Sequence, residues 1–186
     1  MTALSRPVSR HRLMGLASLG LALVVAATLA LAGSARSASA AAASRCSPAN
    51  TEVWLGDGLG GGVLGGVYYP LEFTNVGRHN CTLIGYPGVS AYGSNGSQVG
   101  PAGNRFAQHH ATVTLTPGAT GHALLKIIDW GALCQTMVTA EGLKVFPPGQ
   151  ARSEPIPFPF GACAHRTVLM VGPIRAGVGI PGYTTS

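Results

Sequence analysis

The chain reads as an all-β domain, a sandwich or a barrel, behind an N-terminal leader. Three observations predict this. Short apolar runs alternate with period two, Gly (27) and Pro (13) punctuate them at fairly even spacing, and long helix-period segments are scarce. In "VYYPLEFTN", Tyr69, Leu71 and Phe73 alternate with Pro70, Glu72 and Thr74. Pro70 lacks a backbone donor, which predicts an edge position or a bulge. In "ATVTLTPG", Val113 and Leu115 face one way, and Pro117-Gly118 turns the chain. "GHALLKIID" sets Ala123, Leu125 and Ile127 against His122 and Lys126. Eight strands are expected, over 52–55, 67–75, 81–84, 89–92, 112–116, 122–128, 143–146 and 168–174. "FPPGQARSEPIPFPFG" is too proline-rich for a central strand and reads as a surface loop or an edge segment. Tyr86-Pro87-Gly88 fits a type II turn with Gly88 at its third position, and Asn95-Gly96 suits a hairpin.

The leader has the layout of a secretory signal peptide. Arg6, Arg10 and Arg12 form a basic region, residues 13–35 carry no charge, and "SASAAAAS" at 37–44 supplies a small-residue cleavage site. The expected organisation is a signal peptide over 1–43, a β domain over 44–176 and a loose tail over 177–186. An uncleaved membrane anchor is the competing reading, because the apolar run approaches the ~20 residues that span a bilayer. Secretion is expected. Ser34 stands where a lipoprotein would carry its lipid-bearing cysteine.

Without the leader, eight Lys and Arg face six acids, a net charge near +2. The cations are scattered singly, so nucleic-acid binding lacks support. The remaining stretch of about 145 residues suits one domain with its own core. It holds all four cysteines: Cys46, Cys81, Cys134 and Cys163. An even number in an exported chain predicts two disulfides, with three connectivities open. No Cys-x-x-Cys pair occurs to favour metal ligation.

Six segments in order resemble a known family: "LEFTN" (71–75), "CTLIGYPGVSAYGSNG" (81–96), "VTLTPG" (113–118), "HALLKIIDWGALC" (122–134), "GLKVFPPG" (142–149) and the spaced Cys163. The chain resembles the domain-of-unknown-function family 4232 of exported actinobacterial proteins and lipoproteins. The resemblance implies an Ig-like β-sandwich with the disulfides Cys46–Cys81 and Cys134–Cys163. It implies no activity.

No catalytic constellation is visible. "GDGLGG" fits G-x-G-x-x-G at Gly56, Gly58 and Gly61, but no helix follows to receive a pyrophosphate, so a glycine loop between strands is expected. G-x-S-x-G is absent, and no motif pairs two of the acids Glu52, Asp57, Glu72, Asp129, Glu141 and Glu154. His79, His109, His110, His122 and His165 read as surface loop residues, without metal-ligand spacing. If extended, His109 and His110 would point to opposite faces. Trp54 and Trp130 are candidates for a contact surface, although packing over a disulfide is the commoner role in small sandwiches. The expectation is therefore a non-catalytic binding or structural module at the cell surface or outside, with no cofactor and no metal. Its partner would be a cell-wall glycan, an extracellular protein or a small ligand. The rivals are a secreted hydrolase with a loop-built site and an exported metal-binding protein that uses the histidines.

Overall fold

The computed structural model describes residues 43–58 and 65–179. The expected leader lies outside the described residues except for Ala43, as do 59–64 of the glycine loop and 180–186 of the tail. Among the described residues thirteen strands follow one another: β1 (Ser44–Arg45), β2 (Thr51–Leu55), β3 (Val67–Asn75), β4 (Cys81–Ile84), β5 (Gly88–Tyr92), β6 (Gln98–Val99), β7 (Asn104–Arg105), β8 (Thr112–Leu115), β9 (Thr120–Ile127), β10 (Met137–Phe146), β11 (Glu154–Cys163), β12 (Leu169–Val171) and β13 (Arg175–Ala176). Single 3-10 turns lie at Pro48–Asn50 and Gly131–Leu133. The strands build three sheets, ordered β1-β4-β8, β11-β10-β5-β6 and β2-β3-β9-β12-β7, with β13 also paired to β9.

The alternation seen in the sequence sets the core. Leu71 and Phe73 of β3, Ala123 and Leu125 of β9, and Leu169 and Val171 of β12 are buried on one side. Val89 and Ala91 of β5 with Leu143 and Val145 of β10 meet them from the second sheet, and Leu83 and Leu115 close the core from the third. These inner faces interdigitate as in a two-layer sandwich. Asn75, wholly buried at the end of β3, ties the sheets together. Its Nδ2 donates to His79 O at 2.9 Å and Leu115 O at 3.0 Å, and its Oδ1 accepts from Gly77 N at 2.9 Å. A buried amide with all these partners avoids the cost of an unmet polar group.

Pro70 is neither at an edge nor at a bulge: β3 is an internal strand between β2 and β9, and its register with β9 runs unbroken from Val67↔Ile127 to Thr74↔Thr120. The missing donor is tolerated because of hydrogen-bond phase. Gly56 N donates to Pro70 O at 2.9 Å, so Pro70 turns its backbone toward β2, which ends at Leu55. The expected turn at Tyr86-Pro87-Gly88 also differs. The residue with positive φ is Gly85 (φ 92), while Gly88 already opens β5 opposite Phe146. At 95–96 the hairpin forms as expected, with Gly96 at φ 74 and Ser97 N held by Asn95 Oδ1 at 3.0 Å.

The proline-rich segment is an edge strand, and one of the two longest. In β11, Pro155, Pro157 and Pro159 are exposed and alternate with half-buried Ile156, Phe158 and Phe160. The phase of the sheet explains how prolines fit. Gly93 N donates to Ser97 O at 2.9 Å across the β5–β6 hairpin, so Ser90 and Tyr92 turn their backbone groups to β10. Leu143 and Val145 then bond to β11 opposite Ile156 and Glu154. Pro155 and Pro157 point away from β10, where no N–H is required. The free edge there offers carbonyls and no donors, which blunts it against strand addition.

The disulfides are Cys46–Cys81 and Cys134–Cys163, the pairing that the resemblance implies. The first joins the start of the domain to β4, and Cys46 N also donates to Thr82 O at 3.0 Å. The second joins the 3-10 turn before β10 to the end of β11.

We expect the Cys46→Ala/Cys81→Ala variant to lose about 2–4 kcal/mol, read by urea unfolding under oxidising conditions; an unchanged midpoint would show that the bridge does not stabilise the fold. Replacing both Pro155 and Pro157 by Thr restores two outward donors. The expected result is concentration-dependent self-association by light scattering, with the monomer still folded. A variant that stays monomeric at millimolar concentration would refute the account of the edge.

Candidate functional site

The inward alternation of β11 leaves Ile156, Phe158 and Phe160 facing the open side of the sandwich, beside β2 and β3. Two hollows lie there end to end. One, of about 360 Å³, is lined by Tyr69, Ile127, Asp129, Trp130, Phe158 and Phe160 among others. The other, of about 440 Å³, is lined by Trp54, Leu55, Asp57, Tyr69, Pro155 and Phe158 among others. Tyr69 and Phe158 belong to both. Their rings meet edge to face with centroids 5.1 Å apart, and Phe160 continues the row 6.1 Å from Phe158. The result is one aromatic cleft of Tyr69, Phe158, Phe160 and Trp130; Trp54 borders it on β2, with its indole on the outer face of the sheet beside Glu72 and Thr74.

Each tryptophan is held by its indole N–H. Trp130 Nε1 donates to Thr167 O at 2.9 Å, and the Arg166 guanidinium sits 4.8 Å from the Trp130 ring. Cys163 lines the same half of the cleft as Trp130. Trp54 is more open, 38% exposed, and its Nε1 donates to Thr74 Oγ1 at 3.2 Å. Asp57 lines one half of the cleft and Asp129 the other, and among the described lining residues neither half contains Lys, Arg or His.

The outer face of the β2-β3-β9 sheet carries a second cluster. Direct register aligns Trp54, Glu72, His122 and Arg175 in one cross-strand row. Glu72 is wholly buried and His122 nearly so, covered in part by the segment after β13. Gly179 N donates to Glu72 Oε1 at 2.6 Å, and His122 Nδ1 bonds Gly177 O at 2.9 Å. Since a carbonyl only accepts, Nδ1 carries the proton. Glu72 Oε2 has no partner. Burial pushes the Glu72 carboxyl above its ordinary 4.5, while the Gly179 N–H and the nearby His122 pull it back. Of the tail expected over 177–186, Gly177 and Gly179 are thus fastened to the sandwich.

His122 is not the surface loop residue expected; it belongs to the buried row on β9. His109 and His110 lie outside any strand, and their rings stack with centroids 6.3 Å apart instead of pointing to opposite faces. His110 also meets Tyr86 edge to face at 5.7 Å, with Arg105 5.4 Å from the same ring. Among the described residues, no three His, Cys, Asp or Glu side chains gather as a metal site. Sequence reasoning missed Tyr69, Phe158 and Phe160, whose signal was the phenylalanine alternation inside "IPFPFG".

These features define an all-β domain stapled by two disulfides and open along an aromatic cleft. The chain belongs to the family described as "Domain of unknown function (DUF4232)", whose model matches residues 46–175. No curated protein and no solved structure matches the chain. Its two disulfides point to an extracellular or exported protein, and no helix among the described residues is long and apolar enough to cross a membrane.

The Glu72 carboxyl predicts a pH dependence. The folded state binds this proton more tightly than the unfolded chain. Its contribution to stability is fully present below about pH 4.5 and is lost as pH rises through the raised folded value. Across that window the melting temperature of the native protein is expected to fall relative to that of Glu72→Gln, which keeps an acceptor for Gly179 N. Parallel melting curves from pH 4 to 8 would show that Glu72 is not the titrating group.

Proposed function

We propose that this protein is an exported, non-catalytic binding module, acting at the cell surface or outside, and that the aromatic cleft of Tyr69, Phe158, Phe160 and Trp130 is its binding surface. The single observation that carries the reading is the cleft itself. It is an apolar groove with four ring side chains on a disulfide-braced frame, the type of hollow in which ligands bury most of their surface. Export is supported by the two disulfides and by the leader layout of residues 1–43.

A non-catalytic role is supported by how the polar groups are distributed. The acid–histidine pair that the fold assembles, Glu72 and His122, is shut from solvent beneath Gly177–Gly179. The cleft carboxylates, Asp57 and Asp129, line different halves, and the described lining residues include no His, Lys, Ser or Thr.

The test is a pulldown of cell-wall fractions and secreted proteins with the purified protein, beside a Phe158→Ala/Phe160→Ala variant of unchanged fold by circular dichroism. A partner captured by the native protein is expected to be held about tenfold less well by the variant, as for a binding hot spot. Equal capture by both would move the binding surface elsewhere on the molecule.

A further inference from the structure

We propose that the free edge of β2 takes up, as an added β-strand, an extended segment of a partner protein in which apolar residues alternate with Lys or Arg. The inference rests on the binding-module reading and gives the cleft a partner class. The first argument is backbone phase. β2 ends its sheet, paired on one side to β3. Gly56 N donates to Pro70 O at 2.9 Å and Val76 N to Asn50 O at 3.0 Å, so Glu52 and Trp54 turn their backbone groups to β3. Val53 and Leu55 turn theirs the other way. Each offers one N–H and one C=O to the open edge, and among the described residues no strand pairs with it. An extended peptide carries the complementary groups at the same spacing.

The second argument is the contrast with the neighbouring edge. β11 borders the same hollow with Pro155 and Pro157, whose nitrogens carry no proton. β2 contains no proline, and its register with β3 runs from Thr51↔Asn75 to Leu55↔Leu71 without a bulge. Proline and bulge are two devices that close an edge to strand addition. One guards β11, and neither guards β2.

The third argument is what the two faces of an added strand would meet. Val53 and Leu55 point inward and pack on the core. In an antiparallel pair, the residues opposite them point the same way. They reach the hollow of about 440 Å³ where Tyr69, Ile156 and Phe158 supply apolar surface. Residues opposite Glu52 and Trp54 point outward. Both of these side chains are exposed, so a Lys or Arg there gains an opposite charge on one neighbour and an aromatic ring on the other. Asp57 lines the same hollow, whose described lining residues include no Lys, Arg or His. Arg166, over the Trp130 ring, belongs to the other half of the cleft. The charge at β2 therefore favours a basic strand over an acidic one.

The experiment titrates the native protein with a nonapeptide that alternates valine and lysine, by calorimetry and by NMR with amide hydrogen exchange. Saturable binding is expected, with the Val53 and Leu55 amides protected from exchange in the complex. N-methylation of the valine amides, which face β2, is expected to weaken binding by about tenfold or more, and N-methylation of the lysine amides, which face away, to leave it near the parent value. Replacing lysine by glutamate in the peptide is expected to weaken binding about tenfold, and Glu52→Lys to narrow that gap. If the two methylated peptides bind alike, or if Val53 and Leu55 gain no protection, strand addition is overturned. If the glutamate peptide binds as well as the lysine peptide, the basic partner is overturned. If the protein alone is a dimer by sedimentation with these two amides already protected, the edge belongs to a second copy and the proposal falls. If no peptide binds at millimolar concentration while the pulldown partner is lost from Phe158→Ala/Phe160→Ala, strand addition falls and the binding cleft stands. If no peptide binds and that partner is held equally well by both proteins, the two readings fall together.

Discussion

The pairing of β3 with β9 is the constraint on which the rest of this structure depends. Eight residue pairs align without a slip, and because side chains alternate, that register decides what each face carries. Leu71, Phe73, Ala123 and Leu125 go inward together; Glu72 and His122 go outward together. Tyr69, two residues before Leu71 on the same face, reaches the open side and becomes the middle of the cleft. A shift of one residue would send Phe73 to the outside and a carboxylate into the core. The large apolar transfer energy of the buried rings and aliphatic chains, about 1.5–3 kcal/mol for each fully buried side chain, stands against that.

Once the register is set, the polar face has to be closed in a compatible way. Glu72 loses its hydration and gains one hydrogen bond from Gly179 N, with His122 nearby. One oxygen remains unmet. The core thus tolerates a local cost that the apolar side of the same strand outweighs. The C-terminal residues are held by backbone hydrogen bonds to this pair, so the end of the described chain belongs to the folded unit.

How far the sequence revealed this depends on the kind of signal. Strands with clean period-two alternation, such as 67–75, 81–84 and 112–115, were legible almost to the residue. Strands of two residues, such as β6 and β7, carry no period to read. β11 was read as a surface loop or an edge segment; its being a long strand was not legible, because propensity scores prolines against a strand, whereas hydrogen-bond phase decides whether each one is harmful. Pro70 makes the same point from the inside of a sheet. The candidate tryptophans were visible as residues; that Trp130 lines the cleft while Trp54 turns its indole to the outer face was not, since the register of β2 with β3 decides that. His122 looked ordinary because its burial comes from Gly177–Gly179, far away in the chain.

The disulfide order has a consequence for biogenesis. Cys46 pairs with the next cysteine in the chain, Cys81, and Cys134 with the next after it, Cys163. A polypeptide that emerges N-terminus first, from a ribosome or an export channel, exposes its thiols in that order. The first two can oxidise before the third appears, leaving the last two with only each other. Thiol–disulfide reshuffling, slow and dependent on a partner thiolate, is then not needed to reach the native bonds. The topology allows the covalent frame to be laid down correctly by timing alone, without an isomerase to repair it.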